Sequence, residues 1–364
     1  MALFNVTIDN TKVSSTLTNY PLYVDLSDMP ASFWSTVANG GGDIRVYASD
    51  GTTELAREVV SCDTSTDKGE LHIKVPSVSS SVDTVIKIDV DGARSDYAVS
   101  ATYGRDNTWT QYEAVYHMQE DPSGTAPQMI DSTGNGYDLT TSGSMTSGDL
   151  ITGTIGKAID FDGSDDEMVS SINHGLLTGS TSDNLWVSCI VDSFSASGTD
   201  RWVTLGSYTG LFSFSSTSFG IQSNGDNSGD NVASRVDTGT HHIFALFDAG
   251  TEYRGWMDGT QVFQKTITDT ESSASPITVG DGYGAGAGTN VNATLDEVRV
   301  SGNNLGADWA SAQYANQNSP STFYTATAIS PASSPTIQGI STITGIQSII
   351  MGDGGGEPSQ PSQP

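Results

Sequence analysis

What this 364-residue chain has little of narrows its class first. It carries 14 lysines and arginines against 43 aspartates and glutamates, a formal net charge of −29. Nucleic-acid binding rests on neutralising phosphates with Lys and Arg, so no nucleic-acid partner is expected, and an anionic membrane surface is repelled for the same reason. No stretch approaches the roughly 18 apolar residues of a membrane-spanning helix, so no membrane insertion is expected either. The two cysteines, Cys62 and Cys189, fall in separate blocks of the chain; a disulfide framework is not expected, and each reads as a small buried residue. The first residues, MALFNVTIDN, show neither a basic stretch nor an apolar run, and no secretory signal is expected. A composition rich in Gly, Ser, Thr and Asp without an export signal fits a virion component, assembled in the cytoplasm and released by lysis.

Signatures of chemistry are scarce as well. The five histidines are scattered, and no His-x-x-x-His, Cys-x-x-Cys or Gly-x-Ser-x-Gly is present. GDGYGAGAG (280 to 288) has Gly-x-Gly spacing, but the strand-like TLDEVRV follows it rather than a helix, so it reads as a loop and not a phosphate cradle.

What is there is strand after strand, bounded by turn residues. The first hundred residues contain YPLYVDL (20 to 26), DIRVYAS (43 to 49), ELAREVVS (54 to 61), GELHIKVP (69 to 76) and DTVIKIDV (83 to 90), with one short helix over 31 to 39. Alternation places Leu71, Ile73, Val75 and Val85 toward a core. From about 112 a second block begins, with many short strands, Asp-Gly and Asn-Gly corners, and a closing helix at 305 to 317. Prolines among Ser and Thr over 318 to 336 have linker composition, and GGGEPSQPSQP has the composition of a disordered end. The expected fold class is all-β: an N-terminal β-sandwich domain (1–100), a linker (101–111), a second sandwich (112–318), and a linker with an extended C-terminal assembly tail (319–364).

The second block resembles a laminin-G-like, concanavalin A-like jelly roll, through AVYHMQED, DSTGNGYDL, GKAIDFDGSDDEMV, HHIFALFD, YRGWMDGTQV and LDEVRVSGNNLGADWASAQY, in the family's order over about 200 residues. The first block is similar to a β-rich domain of unknown function that commonly precedes such modules, through NYPLYVDL, GGGDIRVYASDGTTELAREV and KVPSVSSSVDTVIKIDVDG. The resemblance implies a carbohydrate- or protein-binding module; fold alone does not fix function.

Glycoside hydrolases with this fold need two carboxylates facing one another across the scissile bond. Their relatives place the pair on one strand as Glu-x-Asp-x-Glu, and no such run exists here. Asp165-Asp166-Glu167 reads as a turn, and Asp296-Glu297 are neighbours expected on opposite faces of a strand. No enzymatic activity is expected. Calcium is the small ligand the acidic loops suit, with Asp131, Asp296 and Glu120 as candidate ligands; the alternative for Asp131 is turn capping. For glycan binding, Tyr208 in GSYTG and Tyr283 in the glycine-rich loop are the candidates to stack on a sugar face, whereas Trp186, Trp202 and Trp256 sit in strand runs and are expected inside.

PTIQGISTITGIQSIIMG (335 to 352) puts isoleucine at 337, 340, 343, 346 and 349. A period of three suits neither a strand nor a helix, and points to threefold or extended packing. Ile337, Ile340, Ile343, Ile346 and Ile349 are therefore expected to join copies of the chain as a homotrimer, or to lie along other virion proteins; an isoleucine-rich tail of no special geometry is the alternative. The function expected is a non-enzymatic virion surface protein, a capsid decoration or fibre with a carbohydrate-binding-type jelly roll, for particle stabilisation or host-surface adhesion, with cell-surface glycans as expected ligands. The alternatives are a bacterial extracellular carbohydrate-binding or adhesion protein and, after it, a glycoside hydrolase.

Overall fold

Alternating apolar residues decide which face of each strand turns inward. The computed structural model describes residues 2–195, 200–205, 209–215, 218–222, 239–268, 270–281 and 290–329. In the strand Lys68–Val78, Leu71, Ile73 and Val75 are buried as the alternation requires. The strand Thr84–Val90 turns Ile86, Ile88 and Val90 inward, so its register is one residue away from the one that would bury Val85. A one-residue slip exchanges the faces of a strand, and three branched residues outweigh one.

The N-terminal sandwich consists of two antiparallel sheets. One runs in the order Tyr324–Ala328, Ala2–Ile8, Thr84–Val90, Arg45–Ala48, with Phe4 opposite both Ile88 and Ala328. The other runs Leu17–Asp25, Lys68–Val78, Arg57–Asp63. Phe4, Val6, Val46 and Ile88 meet Leu22, Val24, Leu71 and Ile73 in the core between them. The expected helix is a single turn, Ala31–Trp34, which buries Phe33.

In the second sandwich a large sheet runs Thr260–Thr266, Glu252–Met257, His241–Asp248, Asn184–Asp192, Asn292–Ser301, Lys157–Asp162, Leu150–Thr152, and Ala114–Tyr116 also pairs with Asn292–Ser301. The facing sheet runs Ser218–Gln222, Gly210–Ser215, Arg201–Leu205, Pro276–Val279, Glu167–Asn173, Leu139–Ser142. Val187, Val191, Trp202, Val203, Leu211 and Phe247 are among the buried residues between these sheets. Both cysteines are free and buried.

The large sheet buries its other face too. Trp186, Phe244, Leu246 and Trp256 join Trp309, Ala310 and Ala312 of the helix Gly306–Asn318, and that cluster continues into Tyr20 and the N-terminal core. All three strand tryptophans are thus inside, Trp202 in the sandwich core and Trp186 and Trp256 on the opposite face. Residues after the helix, expected as linker, form the turn Pro320–Phe323 and the strand Tyr324–Ala328, which pairs with Ala2–Ile8. Proline at the first helical position and the burial of Phe323 and Tyr324 explain why this stretch is ordered despite its Ser and Thr content. Met1–Ile329 accordingly form one compact unit. The isoleucines of the tail lie outside the described residues.

Candidate functional site

The site begins with a defect in the strand Asn292–Ser301. Its pairing with Asn184–Asp192 sets Asp296 opposite Ile190 but Arg299 opposite Ser188, so two residues, Glu297 and Val298, share the place of one. This is a β-bulge, and Glu297 takes a φ of 50°, in the left-handed region that non-glycine residues seldom adopt. Leu295 and Val298, three apart, both enter the sandwich core, which leaves Asp296 and Glu297 together on the other face. Strict alternation would have opposed them; the bulge corrects that expectation.

Glu297 meets a buried polar cluster supplied by both sandwiches. His117, just after Ala114–Tyr116, brings Nδ1 to 2.5 Å from Glu297 Oε1 and 3.2 Å from Glu70 Oε1, and Nε2 to 3.2 Å from Glu58 Oε2. His72 Nε2 lies 2.8 Å from Glu70 Oε1, and its ring stacks on His117 at 4.9 Å. Each carboxylate has further donors: Arg299 and Gln317 for Glu297, Gln119 for Glu70, and Trp109 Nε1 (2.5 Å) with Ser132 Oγ (2.8 Å) for Glu58. The Arg299 guanidinium lies 4.8 Å from the centroid of Trp109. None of Glu58, Glu70, His72, His117, Glu297 and Arg299 is more than 6% exposed.

Burial opposes charge on Glu58, His72, His117, Glu297 and Arg299, and their partners decide the outcome. For His117 burial is overcome by the Glu297 and Glu58 carboxylates, which hold its pKa well above the usual imidazole value. His72 goes the other way, kept neutral by burial and by the neighbouring His117. For Glu297, burial is outweighed by His117 and Arg299, and its pKa is lowered. Asp296, beside the cluster, has its pKa raised well above the carboxylate range by burial and then by Glu297; its Oδ2 accepts from Ile155 N at 2.9 Å, and its Oδ1 has no hydrogen-bond partner among the described residues.

A cleft of about 420 Å³ opens at the seam, and His117, Glu58 and Gln119 are among the residues that line it. Its walls are Asp96, Tyr97, Val99 and Arg105 from the stretch after the first sandwich, and Glu120, Ile130 and Ser132 from the second. Val99, half exposed, is one of few large exposed apolar residues among the described residues. The residues expected as a linker (101–111) therefore help wall the cleft; Tyr103 O accepts from Arg57 N, and Arg105–Asn107 form a 3-10 turn.

The candidates expected from sequence do not gather in one place. Asp131 is 1% exposed and accepts from Val115 N, Thr133 N, Thr133 Oγ1 and Tyr137 N at 2.7–3.1 Å, the loop-capping role weighed against calcium. Glu120 sits in the cleft wall, accepts from Ile130 N at 3.3 Å and has its pKa raised by burial. Among the described residues, two groups of His and acidic side chains are close enough to share an ion, Glu70/His72/His117/Glu297 and Asp162/Asp165/Asp166; neither contains Asp131, Asp296 or Glu120. Tyr208 and Tyr283 lie outside the described residues.

A scan against protein-family models finds no match, and a search of curated proteins finds none. Distant likenesses among solved structures include the binding domain of Paraclostridial Mosquitocidal Protein 1, 10% identical over 56% of this chain and 52% of that one, with a TM-score of 0.41. Trypanosoma rangeli sialidase in complex with sialic acid is 12% identical over 73% of this chain and 45% of that one, TM-score 0.41. Domain 4 of AbnA, a GH43 extracellular arabinanase from Geobacillus stearothermophilus, in complex with arabinotriose, is 15% identical over 55% and 97%, TM-score 0.38. This chain spans about half the length of the first two. Likenesses this distant carry no functional argument. The laminin-G-like resemblance thus stands at the level of architecture, antiparallel sheets packed face to face, without a matching family model.

Proposed function

We propose that the protein is a non-catalytic glycan-binding surface protein whose ligand sits in the cleft between the two sandwiches. The lining of that cleft supports the reading. Sugars present apolar ring faces and a rim of hydroxyls, and the walls offer apolar surface in Val99 and Ile130 beside polar groups in Asp96, Arg105, Gln119 and Glu120. A formal charge of −29 favours neutral ligands over polyanions. The setting we propose is a virion surface, as a capsid decoration or fibre, with the period-three isoleucines joining copies of the chain.

A catalytic reading has one specific observation in its favour. Glu58 and Glu120 line the same cleft with carboxyls shifted in opposite directions, Glu120 upward by burial, and Glu58 downward because His117 and Trp109 outweigh its burial. Against it, Glu58 already accepts from Trp109, Ser132 and His117 and has little capacity left for a substrate.

A glycan array and titration of the full chain test the proposal. The wild type is expected to bind at least one neutral oligosaccharide without cleaving it, and Arg105→Ala combined with Val99→Ser to weaken binding by about tenfold or more, the equivalent of one lost charged hydrogen bond. Absence of binding across the array would refute the glycan reading. Hydrolysis abolished by Glu120→Gln would establish the catalytic one.

A further inference from the structure

We propose that Glu70, His72, His117 and Glu297 hold a divalent cation of the zinc class, which ties the two sandwiches together at their seam. One ligand atom from each of the four lies within 4.8 Å of the others. Metal bonds of about 2.0–2.2 Å in tetrahedral geometry place ligand atoms roughly 3.3 Å apart. The contacts among Glu70, His72, His117 and Glu297, 2.5 to 3.2 Å, fall just short of that spacing, so the side chains need only move apart slightly to complete the shell. Two imidazoles and two carboxylates suit zinc and its first-row neighbours. Calcium prefers six to eight oxygens, which this nitrogen-containing set does not supply.

The surroundings match what a bound metal requires. His117 turns Nδ1 toward Glu70 and Glu297 and Nε2 toward Glu58, the arrangement in which a carboxylate orients a metal-bound imidazole through its second nitrogen. Glu58 is itself fixed by Trp109 and Ser132, Glu297 by Arg299 and Gln317, and Glu70 by Gln119. Charge points the same way. Glu58, Glu70 and Glu297 outnumber the one nearby guanidinium, Arg299, and a divalent cation on neutral imidazoles balances the seam. His72, fully buried, turns Nε2 to Glu70 and so toward the proposed ion, while its Nδ1 has no hydrogen-bond partner among the described residues. The cleft that His117 helps to line supplies the ion's way in.

Glu70 and His72 come from the N-terminal sandwich and His117 and Glu297 from the second, so the ion would bridge the two. This inference does not rest on glycan binding. The test uses the full chain, prepared without a metal-affinity step, stripped with chelator, and titrated with zinc, cobalt, calcium and magnesium. Expected are about one equivalent of zinc or cobalt per chain, a visible cobalt absorption spectrum, a rise in Tm with zinc but not with calcium or magnesium, and loss of all these in His72→Gln/His117→Gln. The proposal is overturned if the wild type takes up neither zinc nor cobalt, or if the variant retains the same stoichiometry and spectrum, which would mark adventitious surface binding. Should the variant fail to fold, the wild-type cobalt spectrum still decides: bands of a nitrogen- and oxygen-ligated site support the proposal, and a spectrum no different from aqueous cobalt refutes it.

Discussion

At Glu297 a backbone φ of 50° costs of order 1–3 kcal/mol for a residue with a side chain, and Arg299, His117 and Gln317 offset that cost by holding the carboxylate. A buried group held in one charge state also ties stability to pH. His242 is 2% exposed, and burial pushes its pKa down to about 4 against the opposing effects of Asp258 and Gln317. Above pH 6.5 the ring is neutral in both states; as pH falls toward 4 the unfolded chain takes a proton that the folded chain refuses, and stability drops. The difference amounts to at most about 3 kcal/mol. Urea unfolding of the wild type and His242→Gln between pH 7 and 4 is expected to show a shallower decline in the variant, and equal slopes would contradict this. The sequence displayed Glu70 and His72, two apart on one strand, but with Leu71, Ile73 and Val75 turned inward their face reads as a solvent face. Nothing in local pattern says that a polar face will meet a second sandwich. The bulge left a trace, because LDEVRV sets two acidic residues between Leu295 and Val298 where strict alternation allows one, but the pairing partner is needed to place it.

The helix Gly306–Asn318 does for the fold what the bulge does for the site. It lies between the large sheet and the N-terminal sandwich, and Asn316 bonds both backbone groups of Tyr23, its Oδ1 accepting from Tyr23 N and its Nδ2 donating to Tyr23 O, each at 2.8 Å. Tyr23 lies on Leu17–Asp25, the edge of its three-stranded sheet, so one side-chain amide stands in for a missing neighbouring strand. Asn316→Ala would leave a buried donor and a buried acceptor unpaired, an expected loss of roughly 2–4 kcal/mol. Denaturant unfolding checks this, and a loss below about 0.5 kcal/mol, the usual scale of surface substitutions, would refute the strut role. The helix itself was legible, since LGADWASAQYANQ is bounded by glycine and a serine-proline pair. Its position was not: Gln313, Asn316 and Gln317 are buried, and polar residues on a helix give no sign of facing a sheet edge.

Over the whole molecule, the all-β class and the two sandwiches were readable from strand spacing, whereas their fusion was not. The strand Tyr324–Ala328 returns to pair with Ala2–Ile8, a contact across the full described length. A shared core and a returning strand are expected to make Met1–Ile329 unfold in one transition, with calorimetric and van't Hoff enthalpies equal. A chain ending at residue 318, the boundary the sequence indicates, is expected to melt below one ending at 329, and equal Tm values would contradict the closure. We propose that the ligand is held at the seam, where both sandwiches line the cleft. Hydrogen exchange of the full chain, with and without a glycan selected on the array, tests it most directly. The account predicts slowed exchange together in peptides covering 57–60, 96–105, 117–120 and 130–132, segments that only the cleft unites. Protection confined to peptides around Tyr208 and Tyr283, with no change at the seam, would contradict it.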